Sequence, residues 1–215
     1  MYIPAPNRIS DSARINEFIH ANGFATLVTN GQNGMWASHL PFVFDEAAGG
    51  GRLRCHMARA NLQWQHFDSN PEVLCIFLGP HSYISPSWYA AKLAVPTWNY
   101  ASVHVYGKAK VEDDGFLRKT IEDTTSKYES KMPVPWKMPI PEDFIVKLMK
   151  AIVGFSIQVT RIEAKYKLGQ GRSQEDQLGV LLGLEQSSSL ESQSLAKFIR
   201  AQGAFPAEPQ PTTGG

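Results

Sequence analysis

Residues Thr97–Val111 constrain the fold more than any other segment. Trp98, Tyr100, Ser102, His104 and Tyr106 fall on one parity, while Val103, Val105, Ala109 and Val111 fall on the other. Side chains of an extended strand alternate between its two faces, so this run predicts one long strand with an apolar face and an aromatic, polar-tipped face. It is the longest strand candidate in the chain, and the fold must be assembled around it.

The neighbouring segments supply partners for that strand. Ser10 and Asp11 suit a helix start, with Ile15, Phe18 and Ile19 as its apolar stripe and Gly23 as its end. Residues 24–30 and 35–44 read as strands joined by the Asn- and Gly-rich hairpin connector Asn30-Gly31-Gln32-Asn33-Gly34. Residues 52–57 form a further strand, and 59–68 a short helix stopped at Asn70-Pro71. Residues 73–78 are apolar at both parities, which predicts a doubly covered strand; Gly79-Pro80 breaks it, and 81–85 resumes an extended path. Helices follow over 113–128 and 142–151, separated by a connector with Pro133, Pro135, Pro139 and Pro141. Phe155, Ile157 and Val159 mark a last strand. Ser173-x-x-Asp176 resembles a capping box before one further helix, and Ser189 suits the cap of another.

Hairpin-linked strands pair antiparallel, and six or seven of them close most simply into a small barrel. The expectation is therefore a mainly β (α+β) antiparallel fold with peripheral helices. With 215 residues and 43% apolar composition the chain is the size of one domain, taken here as 1–203 with C-terminal helices over about 173–203. The Pro-, Thr- and Gly-rich residues 204–215 are expected to be a disordered tail.

Charge excludes some functions. Lys and Arg number 21 against 20 Asp and Glu. Between residues 103 and 172 the balance is thirteen to nine, without a dense run. Nucleic-acid affinity is drawn largely from phosphate neutralisation, so direct nucleic-acid binding is not expected. No run is long and apolar enough to span a bilayer, and the start lacks a signal-peptide pattern. Cys55 and Cys75 lie in apolar strands and read as free thiols. A cytoplasmic protein is expected.

Three segments carry chemistry. The first is His56-Met57-Ala58-Arg59-Ala60-Asn61-Leu62-Gln63-Trp64. It passes from a strand end to a helix start, where free N–H groups favour an anion. Arg59 offers a planar fork for phosphate and Asn61 an amide donor. The competing reading makes Arg59 a solvated surface charge and Asn61 a turn residue. The second segment, residues 79–89, and the third, Pro96 to Gly107, gather Tyr83, Trp88, Tyr89, Trp98, Tyr100 and Tyr106. Such aromatics suit a half-buried ring-stacking site, or equally a core and dimer interface. His39, His56, His81 and His104 lie on or beside strands without any HxH, HExxH or CxxC spacing, so no metal site of that type is expected, although one histidine suffices as an axial haem ligand. Neither a Gly-x-Ser-x-Gly elbow nor a Gly-rich nucleotide loop is present.

Seven segments occur in an order that resembles the PaiB-like family: Met1-Tyr2-Ile3-Pro4, Ser38-His39-Leu40-Pro41, the 56–64 run, 79–89, Pro96 to Tyr100 with His104 to Gly107, Val153-Gly154-Phe155 and Tyr166-Lys167-Leu168. The family is described as FMN-binding, with bacterial members named as negative transcriptional regulators of sporulation and protease genes. The resemblance spans roughly residues 1–185. It implies the split β-barrel of pyridoxamine-phosphate-oxidase-like proteins, a homodimer, and FMN between the subunits. It places the phosphate near His56, Met57, Ala58, Arg59, Asn61 and Trp64, and the flavin ring beside Ser38, His39 and Leu40. Thr97, Trp98, Asn99 and Tyr100 would approach from the partner subunit. Where the family usually reads Lys-Leu-Ser-Gln-Asn-Arg, this chain has Lys167-Leu168-Gly169-Gln170-Gly171-Arg172.

Three functions are consistent with the resemblance: an FMN-dependent oxidoreductase, with His39 and His104 beside the site but no assignable catalytic base; a flavin-responsive regulator acting through a protein partner; and a haem-binding or haem-degrading barrel.

Overall fold

The structure, a computed structural model, describes residues 1–32, 34–137 and 140–203. The expected tail 204–215 lies outside the described residues, as do Asn33 of the hairpin connector and Pro139 of the proline-rich stretch. In chain order the elements are β1 (Arg8–Ile9), α1 (Ser12–Ala21), β2 (Phe24–Gly31), β3 (Gly34–Pro41), β4 (Val43–Asp45), β5 (Arg52–Ala58), α2 (His66–Ser69), β6 (Glu72–Ile84), β7 (Thr97–Val111), α3 (Asp114–Glu129), α4 (Glu142–Met149), β8 (Ile152–Lys167), α5 (Gln174–Gln186) and α6 (Leu190–Ala201). Among the described residues the strands form one eight-stranded sheet in the order β3-β2-β6-β7-β8-β5-β4, with β1 on β8. This is the antiparallel, helix-flanked split β-barrel that the sequence predicted.

Two compact units make up the chain, one built on residues 10–78 and 103–164, the other on 2–9, 79–102 and the chain from Lys165 onward. In the first unit the sheet closes by covalent connection. β3 and β4 stand at opposite ends of the strand order, yet only Phe42 separates them in the chain. The two edges must therefore meet. Phe42 donates its N–H to the Gly23 carbonyl at 2.7 Å, and the Cys55 thiol on β5 donates to the Pro41 carbonyl at 3.1 Å. The Phe42 ring is 2% exposed and meets Phe77 and Phe155 edge-on, with centroids 6.0 and 6.3 Å away. Leu27, Leu53, Val103, Val105 and Ile157 complete this core from the inward parity of their strands.

On the outer face of β5, Arg54 forks onto Asp45 of β4 at 2.6 and 3.0 Å and reaches Asp123 of α3 at 2.8 Å. β8 meets α3 backbone-close: a Cβ on Gly154 would lie 2.8 Å from that of Leu117. Asp11 and Asp113 cap α1 and α3 by accepting from N–H groups of the first turn.

In the second unit, Ser173 and Ser189 cap α5 and α6 through the N–H groups of Asp176 and Ser192. Asp176 does not complete a reciprocal box, because its carboxylate accepts instead from the Ala91 N–H at 3.0 Å. Trp88 seats on α5 where Gly179 and Gly183 leave room; a Cβ on Gly183 would lie 2.4 Å from the indole. Tyr166 meets Phe198 of α6 edge-on at 5.1 Å.

Several expectations are corrected. β6 runs through Gly79-Pro80 unbroken, because an extended strand tolerates proline where the ladder does not use its missing N–H. Nor is β6 doubly covered: Val73, Cys75 and Phe77 are buried, but Leu78 on the opposite parity is half-exposed. β8 extends eight residues beyond Val159 to Lys167, and its exposed, polar middle hid that continuity. The helix expected over 59–68 is a 3-10 turn at Leu62–Gln65 followed by one turn of α2.

Phe42→Ala is expected to cost about 3–5 kcal/mol, as for a large aromatic removed from a packed core, with Phe42→Leu losing less. Urea unfolding of both variants, compared at constant slope, checks this.

Candidate functional site

The first unit brings together two of the segments that the sequence singled out. Asn61, just past the end of β5, donates its amide to the Ser38 hydroxyl on β3 at 2.8 Å. The same side chain's oxygen caps the 3-10 turn by accepting from the Gln63 N–H at 3.1 Å. β3 itself is exposed or half-exposed along its whole length, on both faces. Met35 is 78% exposed there, and Phe24 on adjoining β2 is 65% exposed. His39 donates or accepts through Nδ1 to Thr26 Oγ1 at 2.9 Å and stacks on Phe24. Leu40 is half-buried beside it.

The local account of an anion site at residues 56–61 needs revision. The Arg59 N–H donates to the Ala151 carbonyl and the Asn61 N–H to the Ala58 carbonyl, at 2.8 and 2.9 Å. With Gln63 capped by Asn61, the expected free helix start is not formed. Arg59 spends Nε and one Nη on the carbonyls of Lys150 and Ile152, both at 2.8 Å. Its charge remains at the turn, where it lines a cavity of about 490 Å³ with Arg118, Lys150, Asp114 and Met149. Trp64 donates its indole N–H to the Arg59 carbonyl at 3.1 Å. Met57 points into the core and is 2% exposed, while Ala58 is exposed.

Histidine environments separate clearly. His20, His39, His66 and His81 each have a ring nitrogen bonded, to Glu46, Thr26, Thr29 and the Gly79 carbonyl respectively. His56 and His104 each bury an Nδ1 with no partner among the described residues. Burial lowers the pKa of both, so they rest as neutral imidazoles. Burial likewise pushes the thiols of Cys55 and Cys75 up, and both cysteines are free. Among the described residues no cluster of His, Cys, Asp and Glu is arranged to hold a metal ion, and no helix is long and apolar enough to cross a membrane.

Thr97, Trp98, Asn99 and Tyr100 belong to the second unit. Lys167 of β8 donates to Thr97 Oγ1 at 2.5 Å and to the Trp98 carbonyl at 2.7 Å. Trp98 is 54% exposed and meets Tyr83 edge-on. Asn99 is buried, and with Thr97, Lys167 and Arg172 it lines a cavity of about 240 Å³.

Sequence reasoning missed Gln63. It is fully buried, and its amide nitrogen lies 3.2, 3.1 and 3.2 Å from the Leu27 carbonyl, Thr29 Oγ1 and the Trp36 carbonyl. A polar residue flanked by Leu62 and Trp64 carried no signal of this. Gly179-x-x-x-Gly183 is a signal visible in the sequence, since small residues four apart on a helix make room for a neighbour, here Trp88.

Comparison with known proteins fixes the family. Residues 1–161 match the family described as "Putative FMN-binding domain". The chain belongs to this family. It is 36% identical over 201 residues to the protease synthase and sporulation protein PAI 2 of Bacillus subtilis, covering 93% of this chain and 96% of that protein. Among solved structures, the FAD and heme binding protein from Mycobacterium smegmatis aligns with a TM-score of 0.59 at 12% identity, over 79% of this chain and 78% of that one. A flavocytochrome from Azotobacter vinelandii aligns with a TM-score of 0.55 at 14% identity, over 78% and 73%. At those identities the structural likeness establishes the fold alone.

The neutral histidines give a pH dependence. A folded pKa below the unfolded one, near about 6.5, means that the unfolded chain takes up protons first as pH falls. Stability is thus full above that value and declines as pH drops through it toward the folded values. Urea midpoints are expected to fall between pH 7.5 and 5.5, and the His56→Gln, His104→Gln double variant to show a flatter decline.

Proposed function

We propose that the chain is a homodimeric FMN-dependent oxidoreductase that holds its cofactor between β3 and the turn after β5. The observation that carries this reading is the Asn61–Ser38 hydrogen bond. It joins the two segments, Ser38 to Leu40 and His56 to Asn61, that the family resemblance assigns to flavin ring and phosphate.

The residues present fit such a group. Ser38 and Asn61 offer a hydroxyl and an amide, Arg59 keeps a positive charge at the turn, and His56 has a buried ring nitrogen with no partner among the described residues. An unpaired buried polar atom is costly unless something satisfies it. The open faces of β3 leave room for a planar ring, and exposed Met35, Phe24 and Trp98 offer apolar surface to a second copy. When bound, FMN supplies the electron transfer. The protein's own part is to anchor the phosphate, orient the ring and set the polarity around it. The neighbours' names support flavin in this barrel, and one of them includes haem as well.

Titration with FMN, followed by quenching of flavin fluorescence, tests the binding. Asn61→Asp keeps the oxygen that caps the 3-10 turn but replaces the donor with a negative charge. It is expected to weaken FMN binding at least about tenfold, the worth of a charge-assisted hydrogen bond, with Ser38→Ala weakening it less. Oxidation of NADH or NADPH by the holoprotein then tests the activity. If neither is consumed with any acceptor, the oxidoreductase reading falls and a flavin-responsive regulator is what remains. A haem Soret band without flavin uptake would overturn both.

A further inference from the structure

Two ammonium groups of the second unit, those of buried Lys165 and half-buried Lys167, have no counter-charge among the described residues. Lys165 is 7% exposed; it donates to the Tyr2 carbonyl at 3.1 Å and lies over the Tyr2 and Tyr100 rings at 5.7 and 5.1 Å. Lys167 donates to Thr97 Oγ1 and the Trp98 carbonyl. Among the described residues neither ammonium has a carboxylate within ion-pair distance. Burial lowers the pKa of Lys167, with Lys165 adding to this against an opposing contribution from Tyr100. Dipoles and ring faces compensate a desolvated cation only in part. Arg172, by contrast, is matched by Asp176 at 3.6 Å and stacks over the Tyr89 ring at 4.3 Å.

Lys167 opens on the cavity of about 240 Å³, whose other walls combine Asn99 and Gln170 with Tyr89, Val95 and Pro96. The Gln170 amide donates one hydrogen to the Tyr166 carbonyl at 2.6 Å, and its oxygen accepts from the Leu168 N–H at 2.8 Å. That leaves its second N–H for a ligand. An ammonium carries three donors, and two of those on Lys167 are used by Thr97 and Trp98. The loop after β8 walls the cavity without filling it. Gly169 and Gly171 hold φ of 94° and 87°, and a Cβ on Gly169 would approach only Asn99, at 3.9 Å. Pockets for drug-sized ligands run to about 300–1,000 Å³, so this cavity suits a smaller molecule.

We propose that this cavity binds a small organic acid, its carboxylate on Lys167 beside the Asn99 and Gln170 amides and its apolar body against Tyr89, Val95 and Pro96. The site does not rest on the FMN reading, since its ammonium and loop walls, Lys167, Gly169 and Gln170, belong to no flavin segment. Thr97 and Asn99, which the family resemblance brings to the flavin from the partner subunit, are shared, and saturation with FMN separates the two.

Benzoate, its neutral isostere benzamide and inorganic phosphate serve as probes of the full-length protein. Calorimetric titration gives affinity, and the NMR shifts of the Asn99 and Gln170 side-chain amides give location. Benzoate is expected to bind at least tenfold more tightly than either benzamide or phosphate and to move both amide signals. Lys167→Gln is expected to lose at least tenfold in benzoate affinity, Lys167→Arg to retain most of it, and the exposed Lys110→Gln to leave it unchanged. If Lys167→Gln does not fold, the benzoate–benzamide ratio in the unaltered protein and in Lys167→Arg decides. Equal affinity for benzoate and benzamide, phosphate binding as tightly as benzoate, or unmoved amide signals would each overturn the proposal. Saturating FMN is expected to leave benzoate affinity unchanged; displacement of benzoate by FMN would make the cavity part of the flavin site and sink its independence. Failure of FMN to bind at all, with benzoate still bound, would overturn the flavin reading and leave this one standing.

Discussion

Phe42 sets the geometry on which the rest of the first unit depends. One residue carries the chain from β3 at one end of the strand order to β4 at the other. Closure is thus imposed by the connection and does not need a continuous ladder of backbone bonds. The consequence is a seam. β3 ends the hydrogen-bonded order, and an edge strand presents unpaired backbone groups. Here side chains stitch that edge: the Gln63 amide reaches the Trp36 carbonyl, Asn61 reaches Ser38, and the Cys55 thiol reaches the Pro41 carbonyl. The split of the barrel and the candidate cofactor site are therefore one feature. What leaves β3 uncovered is the same constraint that forces Ser38 against the end of β5.

Buried charge sorts into two kinds in this molecule. Arg54 is 9% exposed and has a carboxylate on either side, Asp45 and Asp123, which ties β4, β5 and α3 together. Such a cation is internally balanced, and only the loss of both carboxylates would strand it. Among the described residues, Lys165 and Lys167 are held by carbonyls, a hydroxyl and aromatic faces. The difference is not exposure, since Lys165 is as enclosed as Arg54. It lies in whether the fold supplies its own anion. The buried nitrogens of His56 and His104 belong with the lysines in this respect, as polar groups that the described residues do not satisfy. Internally balanced groups explain how the chain folds, whereas the unbalanced ones have no such account among the described residues.

Much of this was legible in the sequence, for identifiable reasons. β7 occupies the whole of Thr97–Val111 because a strict two-residue alternation admits one strand and no helix. Asp11, Ser173 and Ser189 cap the helices they were expected to cap, since capping is a local interaction. Gly79-Pro80 misled because a turn preference does not forbid extended backbone, and β6 passes through the pair as one strand. Arg59 misled for the opposite reason. Its partners, the carbonyls of Lys150 and Ile152, are about ninety residues away in the chain, and no spacing rule reaches that far. The cavity of the second unit was half visible. Residues 96–100 and 166–172 both stood out, but their convergence on one cavity is a tertiary fact.

The late loop carries the departure from the Lys-Leu-Ser-Gln-Asn-Arg motif that the family resemblance implies, and its backbone gives a physical reason. With φ at 94°, position 169 lies in a region that serine, the family's usual residue there, rarely adopts, whereas glycine enters it freely. Asparagine tolerates positive φ better than most residues, so the exchange at Gly171 is the milder of the two. A serine at 169 would therefore require a different loop path, and that path would change the wall facing Asn99. The barrel core, the Phe42 closure and the Ser38–Asn61 contact do not involve this loop. A change in this loop therefore alters the wall of the cavity beside Lys167 without touching the residues that close the barrel.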